Sequence, residues 1–337
     1  MRGYGGSPMT APALDIVAIG DAIVDVIATC DDAFLHAHGL PKGQMQLLSA
    51  GQADALSSAM GGARETSGGS AANTMAGVAA MGGRAAFIGQ IADDPLGEIF
   101  ADDLRALGVG FDTPPLGPGA PPTGRCLIFV TPDAQRTMST CPGASHELRP
   151  QALDEALIRA AAILFLEGYL FGPDGPRATM ARAVAIAHDA GRQVAFTLSE
   201  SVCIADRKES FSRMIDNHAI DLLFANENEL FQLTRRSDLD GALAEMAVKI
   251  PTLVVTRGPA GATAVEKGRR IDIPAAPLSR LVDTTGAGDQ FAAGFLAARI
   301  KGAGLERQLF TGAIAAAEVI AHFGARPEAD LTALVTL

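Results

Sequence analysis

The chain has 337 residues, 48% of them hydrophobic, enough for one large core or two unequal ones. Its net charge of −11 leaves it without the clustered Lys and Arg that general binding to nucleic-acid phosphates needs, so no nucleic-acid partner is expected. No run of about 18 apolar residues occurs, so no helical membrane span and no membrane partner are expected either.

The first 13 residues, "MRGYGGSPMTAPA", are Gly/Pro-rich, lack an apolar signal core, and are expected to form a disordered tail (residues 1–13) on a soluble cytoplasmic protein. "DIVAIG" (15–20) then reads as a buried strand, and residues 21–56 are richer in Pro and polar residues. "SAANTMAGVAAMG" (70–82) reads as a helix, "AAFIGQI" (85–91) as a strand and "LGEIFADDLRALG" (96–108) as a helix. Residues 111–145 break the rhythm again, with "PTGRCLIFVTPDAQRTMST" patterned as a β-hairpin turning at "PDAQ". Beyond it, strands are expected at 161–168, 193–199, 221–227 and 252–258, with helices at 177–191 and 241–250.

The strand runs are continuous rather than alternating, as in a parallel sheet covered on both faces. The expectation is a three-layer α/β/α sandwich with a mostly parallel central sheet, plus a small β-sheet lid. Residues 14–20, 57–110 and 146–337 would form the large unit, and 21–56 and 111–145 the lid. Cys30, Cys126, Cys141 and Cys203 form no C-x-x-C pair, so neither a zinc site nor a disulfide framework is signalled. The six histidines stand in no triad pattern and read as surface or satisfied groups.

Ligands of open α/β sheets bind outside the carboxyl ends of the strands, which directs attention to "LVDTTGAGDQF" (281–291). Gly286 and Gly288 lack Cβ, so a ligand can approach the backbone, and the N–H groups of a starting helix form an anion site. Asp289 falls in the first turn, placed to accept a proton from an attacking hydroxyl while a phosphoryl group occupies the anion site. A plain capped helix start would explain Thr285 and Asp289, but not two glycines spaced one apart. The dinucleotide fingerprint fails at Phe291, and no P-loop, G-x-S-x-G or H-E-x-x-H motif occurs.

"DTTGAGDQFAAGFL" (283–296) resembles the C-terminal signature of the ribokinase-like (PfkB) carbohydrate kinase family. "SGGSAANTMAGVAAMGGRAAFIGQIADDPLGEIFADDLRALGV" (67–109) resembles its N-terminal signature, and the likeness spans about residues 14–330. The resemblance implies transfer of the ATP γ-phosphoryl group to a primary hydroxyl of a sugar or nucleoside. It makes Asp289 the catalytic base and Gly286, Ala287 and Gly288 the anion hole. It assigns Asp25 to grip two sugar hydroxyls, and Gly68, Gly69 and Asn73 to the substrate-side loop and helix start. Asn226 and Glu229, in "ANENEL", would support phosphate and Mg2+, the metal through water. Thr256, Arg257, Gly258 and Ala316 would line the ATP site together with Gly288. Asp283, Thr285 and Gly324 fall where the resemblance implies a monovalent cation such as K+.

The acceptor is less sharply marked. "AIGDAIVDVIA", "EGYLF" and "QRTMSTCPGAS" resemble the bacterial adenosine kinase branch, which makes adenosine the first expectation. Tyr169 and Phe171 would then stack on the base, with Arg136 closing over the site, although aromatics after a buried strand are as readily core. Asp21 stands where adenosine kinases carry Asn, which keeps a free sugar open as the alternative: ribose, fructose or 2-keto-3-deoxygluconate. A catalytically silent nucleotide or sugar sensor on the same fold is the reading from another class. Monomer and homodimer are both compatible with the sequence.

Overall fold

Short apolar runs with Gly or Asp at their ends become strands nearly wherever the sequence has them. The computed structural model describes residues 12–133, 135–199 and 201–335, without the side chains of 201–203, 205 and 206. The expected tail lies outside the described residues up to position 11, as does Ala134 inside the expected hairpin turn.

In chain order the strands are β1 (Leu14–Ile19), β2 (Ile23–Thr29), β3 (Met45–Leu47), β4 (Arg64–Ser67), β5 (Ala85–Ile88), β6 (Val109–Gly110) and β7 (Gly124–Val130). They continue with β8 (Arg136–Cys141), β9 (Ala161–Glu167), β10 (Gln193–Thr197), β11 (Leu222–Asn226), β12 (Thr252–Thr256), β13 (Ala262–Glu266) and β14 (Arg269–Ile273). The helices are α1 (Asp32–Ala37), α2 (Ala50–Ala59), α3 (Ser70–Ala80), α4 (Pro95–Ala106), α5 (Glu155–Ala160) and α6 (Asp174–Asp189). After them come α7 (Ser201–Asp216), α8 (Glu227–Thr234), α9 (Leu239–Ala247), α10 (Ala287–Ile300), α11 (Leu305–Val319) and α12 (Leu331–Leu334).

Nine strands form one sheet in the order β14-β13-β12-β11-β10-β9-β1-β5-β6, parallel except where β13 joins β12 and β14. Alternate residues of β1 explain the layering. Ile16 and Ala18 face a core shared with α3, α4, α10 and α11, while Val17 and Ile19 face a second core under α5, α6, α8 and α9. A strand buried on both faces has to be apolar throughout, which is why these runs were legible as continuous. The antiparallel edge pair β13–β14 escaped the sequence reading. Its turn carries Lys267 and Gly268 at φ 51° and 76°, the backbone of a tight hairpin.

The second sheet has the order β3-β8-β7-β2-β4, and the expected hairpin is its β7–β8 pair. One boundary differs from expectation. β4, assigned by sequence to the large unit, pairs antiparallel with β2, Val24 opposite Ser67, in the small sheet. Its "RETS" is polar and half exposed, so it offers no apolar run to read. The short link Gly68–Gly69 then carries the chain straight into α3, so the two sheets meet at the start of that helix.

Candidate active site

α10 begins without a side-chain cap. Its N-cap, Gly286, has φ 77°, and a Cβ there would stand 2.6 Å from Ala325 Cα, so only glycine fits. Two residues on, a Cβ on Gly288 would meet nothing within 4 Å. The Ala287 N–H donates to Thr284 O at 3.2 Å, and the open space at Gly288 lets an anion approach the start of the helix, where the dipole is positive.

Asp289 lies in that first turn, and α3 holds its carboxylate. Ser70 Oγ donates to Oδ1 at 2.6 Å and Asn73 Nδ2 to Oδ2 at 3.0 Å. Burial pushes the Asp289 pKa up; the two hydrogen bonds and the charge of Arg326 oppose that rise. A carboxylate fixed in position with a raised pKa is suited to general-base work. Asn73 Oδ1 is buried without a partner, which leaves an acceptor beside the base.

Asp25 comes from β2, and Gly68 makes room for it: a Cβ on Gly68 would stand 2.6 Å from the Asp25 carboxylate. Burial, with the charge of Asp289, raises the Asp25 pKa to about 6 against the pull of Arg136 and Arg326. Arg326 was not singled out from the sequence. Its Nη2 donates to Ser67 O at 3.1 Å and Ser67 Oγ at 2.9 Å, while Nε and Nη1 are buried and unpartnered. Burial lowers its pKa to about 10, and Asp103, Asp25 and Asp289 hold it up. It lies in "GARPE", two residues after Gly324.

Glu167, at the carboxyl end of β9, was also missed. It is 0% exposed, and accepts the Asp21 N–H at 2.7 Å and the Ala71 N–H at 2.6 Å. One buried carboxyl thus ties the end of β1 to the start of α3. Burial first, and the charge of Asp21 next, raise its pKa well above the ordinary value. Asp21 Oδ1 accepts from Ser145 Oγ at 2.8 Å with His146 Nε2 4.0 Å away, and its own pKa is raised by burial. Gly69, at φ 87°, passes so close that a Cβ would strike the Asp21 carbonyl at 2.3 Å. Gln290, fully buried, bridges the carbonyls of Asn73 and Ala325 at 3.0 Å each and locks α3, α10 and the Gly324–Arg326 segment together.

Other expected residues land elsewhere. Phe171 is 2% exposed, with its ring packed against Phe196 and Phe211 at centroid distances of 5.9 and 4.6 Å. It is a core residue and, 2% exposed, has no open surface on which a base could stack. Tyr169 is half-buried, its hydroxyl 3.5 Å from Ser199 O. Arg136 does not hang free over the site: Nη1 donates to Asp283 Oδ2 at 2.5 Å and to Thr285 Oγ1 at 2.6 Å.

Asn226 caps α8 and forms a closed capping box with Glu229, whose Oε2 accepts the Asn226 N–H at 2.9 Å and whose Oε1 accepts Asn226 Nδ2 at 2.7 Å. Thr256 ends β12 and Arg257 and Gly258 follow it, with Arg257 Nη2 donating to Ala260 O at 2.9 Å. Ala316 sits half-buried on α11. Among the described residues no group of three His, Cys, Asp or Glu is gathered as a metal cage.

The sequence profile of the pfkB family carbohydrate kinases matches residues 13–331. The chain belongs to that family. As a member it is a phosphotransferase acting on hydroxyl groups of sugars or nucleosides. The adenosine kinase of Sinorhizobium meliloti is 43% identical, with 96% of this chain and 98% of that chain covered at a TM-score of 0.89. A probable sugar kinase from Rhizobium etli CFN 42 is 39% identical over the same shares at a TM-score of 0.90. The fructokinase of Klebsiella pneumoniae is 29% identical over 224 residues, 65% of this chain and 72% of that protein. The fold expected from the sequence, a ribokinase-like sandwich with a second small sheet, is the fold of these kinases.

Proposed function

We propose that this chain transfers the γ-phosphoryl group of ATP to the primary (5′) hydroxyl of a nucleoside, adenosine first. The observation that carries the reaction is Asp289, fixed by Ser70 and Asn73 beside the uncapped start of α10. The likeness to a bacterial adenosine kinase over nearly the whole chain supports the acceptor.

In this reading Asp25 accepts two sugar hydroxyls and Asn73 Oδ1 can accept a third. The Asp289 carboxylate takes the proton of the attacking hydroxyl as its oxygen bonds to phosphorus and the β–γ bridge breaks, releasing ADP. The first-turn N–H groups of α10 hold the developing phosphoryl charge. Mg2+ would ride on the donor phosphates and neutralise them. Glu229 would reach it through water, its two oxygens each holding a hydrogen bond from Asn226. Thr256, Arg257, Gly258 and Ala316 would hold the nucleotide. Residues 21–56 and 111–145, joined by β4, would form the lid that keeps water from the phosphoryl group.

A second reading, a free-sugar kinase, is favoured by the burial of Phe171, which leaves Tyr169 alone to stack on a base. One panel separates the two. ADP release is measured with adenosine, inosine, guanosine, ribose, fructose and 2-keto-3-deoxygluconate. Preference for adenosine is the expected outcome, turnover of a sugar alone gives the second reading, and silence across the panel, with no release above ATP hydrolysis, overturns both.

A further inference from the structure

We infer that the Arg136 guanidinium is the built-in cation of the phosphate-binding turn. It fills the place that a monovalent metal ion would take at Asp283, so that turnover in this chain needs no added K+. The inference rests on the phosphoryl-transfer reading for its effect on turnover, but on geometry alone for its effect on binding.

Asp283 is nearly buried and its carboxylate is crowded with donors. Oδ1 accepts the Thr285 N–H at 3.0 Å; Oδ2 accepts the Gly324 N–H at 3.1 Å and Arg136 Nη1 at 2.5 Å. A carboxylate offers about four acceptor positions, so three are already taken. The same guanidinium nitrogen donates to Thr285 Oγ1 at 2.6 Å, and the Arg136 and Asp283 side chains are 10% and 5% exposed. Monovalent metals need oxygen atoms with free lone pairs and no competing positive charge. Of the three residues that the family resemblance assigns to such an ion, Asp283 is neutralised, Thr285 accepts from the arginine, and Gly324 points its N–H into the cluster. An ion placed there would face a fixed guanidinium with little water between them. The side chains of this cluster do not fit a metal ion; they fit the arginine that is there.

Arg136 opens β8, so its charge comes from the small sheet, 147 positions earlier in the chain than Asp283. The turn that shapes the anion site is therefore neutralised by the lid rather than by solvent. Partly exposed ion pairs contribute little, but a pair this buried leaves a bare carboxylate when one partner is removed. That bare carboxylate, with Thr285 Oγ1 released, is a set of oxygens that K+ can use.

The test compares wild type, Arg136→Met, Arg136→Lys and the double variant Arg136→Met/Asp283→Asn in KCl and in tetramethylammonium chloride at equal ionic strength. Thermal midpoint and turnover are read for each. Wild type and Arg136→Lys should give turnover equal within about two-fold and the same midpoint in both salts. The Arg136→Met midpoint should rise in KCl by roughly 2 °C or more, a response that Asp283→Asn abolishes. A wild type activated about ten-fold or more by KCl, or raised in midpoint by it, overturns the inference, as does an Arg136→Met protein indifferent to K+. The wild-type comparison stands whether or not the Met variant folds. If no substrate is turned over at all, the phosphoryl-transfer reading fails, and the midpoints still answer the question of the cation.

Discussion

On the α3 side of the site four carboxyl groups, Asp21, Asp25, Glu167 and Asp289, are all held with raised pKa, and burial is the largest cause for each. On the α8 side, Asn226 and Glu229 answer each other in a capping box and Thr256–Gly258 run into an exposed turn. The first region carries electrostatic strain that a polar ligand can relieve, with Asn73 Oδ1 and two Arg326 nitrogens still unpartnered. The second is helix and turn chemistry with a single buried atom left unpartnered, Arg257 Nε. Buried unsatisfied polar groups are destabilising, so their concentration at one place points to function there.

The largest effect should come from breaking the strained side at its base. Asp289→Asn keeps the shape and the contact with Ser70 but removes the proton acceptor. Turnover should fall by roughly 10²–10⁴-fold, the usual contribution of a general base, with nucleotide affinity little changed. Single-turnover kinetics and nucleotide titration check this; turnover within about three-fold of wild type would remove Asp289 from the mechanism.

Asp25→Asn sharpens the contrast, because stability and activity should move in opposite directions. The folded pKa of Asp25 is raised from 3.8 to about 6, so ionising it is unfavourable in the folded state. The stability this group contributes is fully present below pH 3.8 and is lost as pH rises through about 6. Replacing the carboxyl removes that loss. At pH 8 the variant should be more stable than wild type by about 3 kcal/mol, on the order of 4 °C in a chain of this length, with the gain vanishing near pH 4. Its KM for the acceptor should rise sharply, and the wild-type KM should itself rise as pH falls below about 6, where Asp25 takes up a proton. Thermal midpoints at the two pH values check the sign: an Asn variant less stable at pH 8 contradicts the strain assigned to this side.

The contrast also explains what could be read from the sequence. The parallel core was legible because strands buried on both faces are apolar at nearly every position, as in "AAILFL" (161–166). The glycines were legible because Gly69 and Gly286 sit at positive φ against neighbouring backbone, where no other residue fits. Glu167 was not, because a single carboxyl at a strand end has no local pattern; its role exists only once β1 and α3 converge on it from 146 and 96 positions away. Arg326 was hidden for the same reason. Phe171 was misread because an aromatic after a strand looks alike whether it faces a pocket or Phe211, and only packing decides. Arg136 was placed in the right region, but its partner, Asp283, was assigned to a metal ion instead.

The smallest effect should come from the α8 side, and its smallness is the point. Asn226→Ala removes the side chain that accepts the Glu229 N–H at 2.9 Å and donates to Glu229 Oε1 at 2.7 Å. Loss of an N-cap of this kind costs about 1 kcal/mol. Glu229, 5% exposed, keeps the backbone N–H of residue 226 on Oε2, so the helix start survives with a looser carboxylate. The expected result is a modest fall in thermal midpoint and a rise in KM for MgATP of a few-fold, with the acceptor KM unchanged. A fall in turnover as large as that of Asp289→Asn would show that the capping box positions reacting groups directly. The two sides would then share one mechanism of preorganisation, and the division between a strained acceptor side and a relaxed donor side would be wrong.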